Sequence, residues 1–267
     1  MDYETIQLSK KAMVATITLN RPKRLNALNV TICGELLDAI KQCKWDDGIR
    51  SVVLTGAGKV FCSGGDVHEM KDFFTTYPHE NPGKIVEELV SAVNHVLLAI
   101  RKLNKPVIGA IKGLCSGGGA GLALACDILV AAEDSKIHVP NVRIGLVPDG
   151  GTSFFLTRRL GRYKTAELYF TAEPLDALEA LRLGLFNRVV PETDLLHEAD
   201  KLALRLAQGP VPAMTLAKRM LDVAPCNNLE TQLEIEKEAV IRCGGTKEFK
   251  EGITAFFEKK IPDFVKP

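Results

Sequence analysis

The sequence predicts an α/β fold whose strands alternate with helices and whose last third is helical. Short apolar runs rich in β-branched residues recur through the first half: "MVATITLN" (13–20), "SVVLTG" (51–56), "KPVIGAIKG" (105–113) and "CDILVAAE" (126–133). Segments with helical apolar spacing lie between them, "LNVTICGELLDAIKQCKWD" (28–46) and "LVSAVNHVLLAIRKL" (89–103). Beyond about residue 153 the helical pattern dominates, in "AELYFTA", "DALEALRLGL", "LHEADKLALRLAQ", "PAMTLAKRMLDVA" and "LETQLEIEKEAVIRC". Apolar strands alternating with helices imply sheets covered by helices.

In chain order, the helix over 28–46 has Asn29 or Thr31 as its cap. "DFFTTYPHENPG" (72–83) is polar, aromatic and punctuated by Pro and Gly, and reads as a mobile loop. Pro210 and Pro212 mark a joint before the terminal helices. These features divide the chain into a core over 1–200 and a C-terminal helical region over 201–267, with no internal repeat.

The chain has 267 residues, of which 46% are hydrophobic and 25% charged, with a net charge of +1. That balance gives no electrostatic basis for binding nucleic acid or acidic membranes. Seven cysteines, an odd number without a CxxC pair, argue against a disulfide framework or zinc site and for a reducing compartment. No apolar run reaches the roughly 18 residues of a membrane span. The N-terminus has no apolar targeting core, so the expected location is the cytoplasm.

Two glycine-rich turns carry the chemistry. "GKVFCSGGDVHEM" (58–70) runs from a strand end through two glycines into a helix start with Asp66 in its first turn; "GLCSGGGAGLALACD" (113–127) repeats the pattern. Glycine admits close approach of a ligand to the backbone, and helix N-termini offer unpaired N–H donors. Converging, two such turns make an oxyanion hole of main-chain amides, where losing one donor costs on the order of 10²–10³ in rate. Each alone is equally a plain strand-to-helix turn. Neither has the Lys-Ser/Thr of a phosphate-binding P-loop.

Taken with "TLNRPKRLNALN" (18–29), "IGLVPDGGTSFFLTRRLG" (144–161), "EALRLGLFNRVVP" (179–191) and "GITAFFEKKIPDF" (252–264), these turns make the chain resemble the crotonase (enoyl-CoA hydratase/isomerase) superfamily over essentially its whole length. The resemblance implies a spiral of ββα units, a C-terminal helical trimerisation region, and homotrimers or dimers of trimers. It implies an acyl-CoA substrate, with coenzyme A as part of that substrate and no other cofactor or metal. By position, the oxyanion amides are those of Gly65 and Gly118, flanked by Ser63, Gly64, Val67 and Gly117. Arg24, Leu25 and Ala27 match the segment that contacts coenzyme A, and Phe257 and Lys260 the tail that closes over its adenine end. Arg24 and Lys260 read equally as solvated surface charge.

Both acids that hydratases of this family use are missing. Their first glutamate falls at Gly121 and their second at Asn141. One acid remains, Asp149 in "GLVPDGGTS", where several family isomerases carry their catalytic acid. A double-bond shift needs a single base: the carboxylate takes the α-proton of a 3-enoyl thioester and returns it at the γ-carbon. The plain alternative is a turn aspartate, since Pro-Asp-Gly is a turn signature. Asp66 and Asp127 read as structural, Glu69 as a weaker candidate near the first loop, and His68 and His95 as surface or packing residues. Asn141 lies near the acyl end, with Leu122, Val139 and Phe74 as candidate pocket walls, and loop 71–84 and the helix around 160–170 as the determinants of acyl specificity. The residues thus predict an acyl-CoA isomerase. An atypical hydratase, an aryl-CoA dehalogenase and an RNA-binding relative stand as alternatives, the last weakened by scattered lysines such as Lys102, Lys105 and Lys112.

Overall fold

The computed structural model describes residues 3–265. Among these residues the strands are β1 (Ile6–Lys11), β2 (Val14–Leu19), β3 (Ser51–Gly56), β4 (Val107–Ile111), β5 (Leu114–Ser116), β6 (Ile128–Ala132), β7 (Lys136–His138), β8 (Leu175–Asp176) and β9 (Arg188–Val190). The helices are α1 (Val30–Trp45), α2 (Val67–Thr76), α3 (Gly83–Arg101), α4 (Gly118–Leu124), α5 (Thr152–Thr171), α6 (Ala177–Arg182), α7 (Leu195–Ala207), α8 (Val211–Val223), α9 (Leu229–Gly244) and α10 (Lys247–Phe257). Six strands form one sheet in the order β1-β2-β3-β4-β6-β9, antiparallel at β1–β2 and parallel thereafter. A second, three-stranded sheet is ordered β5-β7-β8.

The middle strands β3, β4 and β6 of the large sheet are buried on both faces, which explains why they read as continuous apolar runs, whereas the edge strands β1 and β9 are largely exposed or half-buried. On one face Ile17, Val52, Leu54, Val107, Ile111 and Leu129 pack into a core with α1 and α3. On the other, Val53, Ile108, Ala110, Val130 and Ala132 pack against Leu195, Ala199, Leu202 and Ala203 of α7. The expected division at residue 200 falls within α7. Asp127 ties the next helix down: it accepts from the Val107 N–H (2.9 Å), Lys218 Nζ (2.8 Å) and Arg101 Nη1 (3.3 Å). All seven cysteines are free thiols and five are buried, and burial pushes the Cys62 thiol up to about 12.

Asn29 caps α1, its Oδ1 accepting from the Ile32 N–H at 3.0 Å. One expectation needs correction. The segment 72–83 is not one loop: α2 runs on to Thr76, and α3 begins at Gly83, six residues before the expected start. Asp66 has the structural role expected of it: it stands just ahead of the first turn of α2 and caps that helix, accepting from the N–H groups of His68 and Glu69. That cap nucleates α2 from its start, so the aromatic and polar run that follows stays helical.

Candidate active site

The two glycine turns meet because the strand ends that feed them are paired. Cys62 lies opposite Cys115 in a parallel bridge; the Cys62 N–H donates to the Leu114 carbonyl (3.1 Å), and the Ser116 N–H to the Cys62 carbonyl (2.9 Å). One residue on, the loops touch. A Cβ added to Gly64, which holds φ +100°, would stand 3.0 Å from the Ser116 carbonyl oxygen and 3.6 Å from Gly117 Cα, so this contact requires glycine. Neither the Gly65 nor the Gly118 N–H has a hydrogen-bond acceptor among the described residues. Two unpaired amides therefore flank one place, as an oxyanion hole requires.

Beside them opens a cavity of about 360 Å³. Ser63, Gly64, Gly65 and Val67 line it from the first turn, Ser116, Gly117 and Gly118 from the second, and Asn141 and Asp149 from beyond β7. All of these but Ser116 are predicted residues, which the fold brings together. Its apolar wall is Met70 of α2 with Val86, Leu89, Val90 and Val93 of α3. Facing it, Arg143, Ile144, Leu146 and Val147 belong to the 3-10 turn and loop before Asp149.

Asp149 sits in a turn laid across the start of α4. A Cβ on Gly150 would be 3.2 Å from Gly118 Cα. The Asp149 carbonyl accepts from the Thr152 N–H (3.1 Å) and Oγ1 (2.8 Å), and Tyr169 Oη donates to Thr152 Oγ1 at 2.9 Å. Burial, with Asp149's charge nearby, raises the Tyr169 pKa against the opposing effect of its bond to Thr152. Asn141 Nδ2 donates to Asp149 Oδ1 at 3.0 Å. Asp149 is the only carboxylate lining the cavity among the described residues.

Gly121, which the resemblance sets at the first hydratase glutamate, has no room for a side chain. A Cβ at Gly121 would lie 2.0 Å from the Gly150 carbonyl oxygen and 2.8 Å from its carbon. No side chain enters there while the Asp149 turn is in place.

Other predicted residues lie outside the cavity. Asp66 is buried and fully engaged, bonded to Arg21 at 2.9 Å as well as capping α2. Glu69 accepts from Asn29 and lies 3.6 Å from Arg21. Leu122 and Val139 are core residues, Phe74 faces solvent, and His68 and His95 are exposed. Segments 71–84 and 160–170 contribute nothing to the cavity wall, which α3 supplies instead. Arg24 and Leu25 are exposed in a turn beside the first glycine loop, where the Leu25 carbonyl accepts from the Ser63 N–H at 3.0 Å; Ala27 is buried behind them. Phe257 is exposed at the end of α10, and Lys260 pairs with Glu258. No cluster of metal-ligating side chains occurs among the described residues, and no helix among them is long and apolar enough to cross a membrane.

The chain is similar to known proteins over nearly its whole length. A family model described as enoyl-CoA hydratase/isomerase matches residues 9–267. The 1,2-epoxyphenylacetyl-CoA isomerase of Escherichia coli K12 is 37% identical over 251 residues, covering 94% of each chain. The short-chain-enoyl-CoA hydratase of Clostridium acetobutylicum is 35% identical, covering 97% of each. Among solved structures, an enoyl-CoA hydratase from Polaromonas sp. JS666 superposes with a TM-score of 0.91 at 32% identity, covering 97% of this chain and 98% of that one.

Proposed function

The chain belongs to the enoyl-CoA hydratase/isomerase family, and from that premise we propose that it is an acyl-CoA isomerase that moves a double bond with Asp149 as its one base. The observation that carries this reading is the pair of acid positions: Asp149 lines the cavity, whereas the Gly150 carbonyl fills the space at Gly121. Hydration by the usual route needs two acids, one to activate water and one to protonate the α-carbon. A 1,3-proton shift needs one.

In this mechanism the thioester oxygen of a 3-enoyl-CoA, or of a related cyclic or phenylacetyl-derived CoA, accepts from the Gly65 and Gly118 amides. Asp149 removes the α-proton, and the amides hold the charge of the dienolate, an interaction stronger in the transition state than in the ground state. The protonated carboxyl then delivers its proton to the γ-carbon. The apolar wall of Met70, Val86, Leu89, Val90 and Val93 receives the acyl chain and excludes water that would quench or hydrate the intermediate. The exposed Lys23–Arg24 turn beside the first loop suits the coenzyme's phosphates. A homotrimer is part of the same proposal, with Phe257 and Lys260 closing over the coenzyme.

The test is the appearance of conjugated 2-enoyl thioester from 3-hexenoyl-CoA, with loss of 2-hexenoyl-CoA to water followed in parallel. Asp149→Asn is expected to lose about 10²–10⁴ in kcat with coenzyme A affinity retained, in line with removal of a general base. A variant as active as the parent would falsify the assignment of Asp149. Rapid hydration by the parent without isomerisation would replace the reading with an atypical hydratase.

A further inference from the structure

We infer that Asn141 is a positioning residue for Asp149: it ties down one carboxylate oxygen and leaves the other to take and return the substrate proton. The inference rests on the isomerase reading, yet its geometry stands apart from it. Asn141 Nδ2 donates to Asp149 Oδ1 at 3.0 Å and to the Val147 carbonyl at 3.3 Å, so both amide protons are used. The amide oxygen, by contrast, is buried without a hydrogen-bond partner among the described residues. Leaving a buried acceptor unpaired is costly, because it loses its bonds to water and gains none in return. Flipping the amide would not relieve that cost, because it would set the oxygen against the carboxylate, acceptor to acceptor. The side chain thus keeps an unsatisfied oxygen and, with it, the donor on Asp149.

Asn141 is the only side chain that donates to the Asp149 carboxylate among the described residues. The other polar groups nearby are turned elsewhere. Arg143, on the same 3-10 turn, donates to the Ala172 carbonyl at 2.8 Å and lies 3.3 Å from Glu173. Tyr169 of α5 reaches Asp149 only through Thr152. Helix α4 brings glycines against the turn, and α2 and α3 line the opposite side with Val67, Met70, Val86, Leu89, Val90 and Val93. In such surroundings one hydrogen bond fixes which way the carboxylate faces. With Oδ1 held, the proton travels on Oδ2 from the α-carbon to the γ-carbon, and the carboxyl does not rotate between the two transfers.

The experiment follows the Asp149 carboxyl by carbon NMR in protein labelled at its aspartate carboxyl carbons. Its resonance is the one missing from Asp149→Asn. In Asn141→Leu, close in size but without a donor, the Asp149 titration is expected to move up by about one pH unit, a tenfold gain in proton affinity. In Asn141→Asp the two acids should titrate as a coupled pair with one step higher still. With 3-hexenoyl-CoA, the acid limb of kcat should move by the same amount while KM changes less than about threefold, the direction expected for loss of a bond to the charged form. Asn141→Ala replaces the leucine variant if circular dichroism shows that leucine is not accommodated. An Asp149 titration unmoved in these variants overturns the inference, as does a fall in kcat with the acid limb in place. Full activity of Asp149→Asn would instead overturn the isomerase reading, leaving the Asn141 contact to be judged by the NMR titration alone.

Discussion

Gly65 in the first loop and Gly121 beyond the second are surrounded by different kinds of atoms. A Cβ on Gly65 would meet the far ends of flexible side chains, Leu89 Cδ2 at 3.0 Å and Met70 Cε at 3.3 Å. A Cβ on Gly121 would meet backbone, the Gly150 carbonyl oxygen at 2.0 Å. The neighbours of Gly65 are side chains that can move, although Gly64 beside it packs on the Ser116 backbone. The neighbour of Gly121 is backbone, with no room to adjust. The glycine proposed to supply an amide to the reaction is therefore more replaceable than one that only lets two segments touch.

Substitutions can break this contrast, and the largest effect should come from Gly121. Gly121→Ala is expected to push the Asp149 turn off α4; since misplacement by about 1 Å can cost 10²-fold, isomerisation of 3-hexenoyl-CoA should fall at least that far. Gly121→Glu should lose activity to the same extent and gain no hydration of 2-hexenoyl-CoA, despite restoring the hydratase residue. Hydration by that variant would show that the turn yields. Asp66→Ala comes next. It removes a helix cap and takes from the largely buried Arg21 its nearest carboxylate, leaving the Ala27 carbonyl at 2.6 Å and Glu69 at 3.6 Å in partial compensation, so chemical denaturation should register a loss of about 3 kcal/mol. Gly65→Ala should be the mildest, because Met70 and Leu89 can rotate away and the main-chain N–H is kept. A stability change under about 1 kcal/mol in the same denaturation series is expected; a loss as large as that of Asp66→Ala would erase the distinction between the loops.

The four central strands were legible because burial leaves them mostly apolar and rich in β-branched residues, and both glycine loops were legible through their glycines. The small sheet was not. Strands β5, β7 and β8 span two or three residues each, too short for any alternation to register, although β5 leads directly into the second glycine loop. Helix α2 was misread because its signal lies at its start, in the Asp66 cap with Glu69 three residues on, while Phe73 and Phe74 follow in a polar setting. The cavity wall offered a subtler case. Residues 86, 89, 90 and 93 fall at helical spacing, i, i+3, i+4 and i+7, and so predict an apolar face. Periodicity gives the face but not what it borders, and only tertiary structure separates core from cavity. Asp149 and Asn141 were each visible as residues; the bond between them depends on how a 3-10 turn and a Pro-Asp-Gly turn fold back on each other.

The contact between the Gly150 carbonyl and Gly121 also bears on how this protein can change over time. The family's two-acid hydration and the one-acid shift proposed here use the same scaffold, but one backbone carbonyl occupies the volume that the first of those acids needs. Exchanging the glycine first would disorder the working carboxylate, and remodelling the turn first would discard it. Each order of events passes through a protein with neither activity. A gene encoding this chain therefore reaches hydratase chemistry most readily after duplication, when one copy is free to cross that gap.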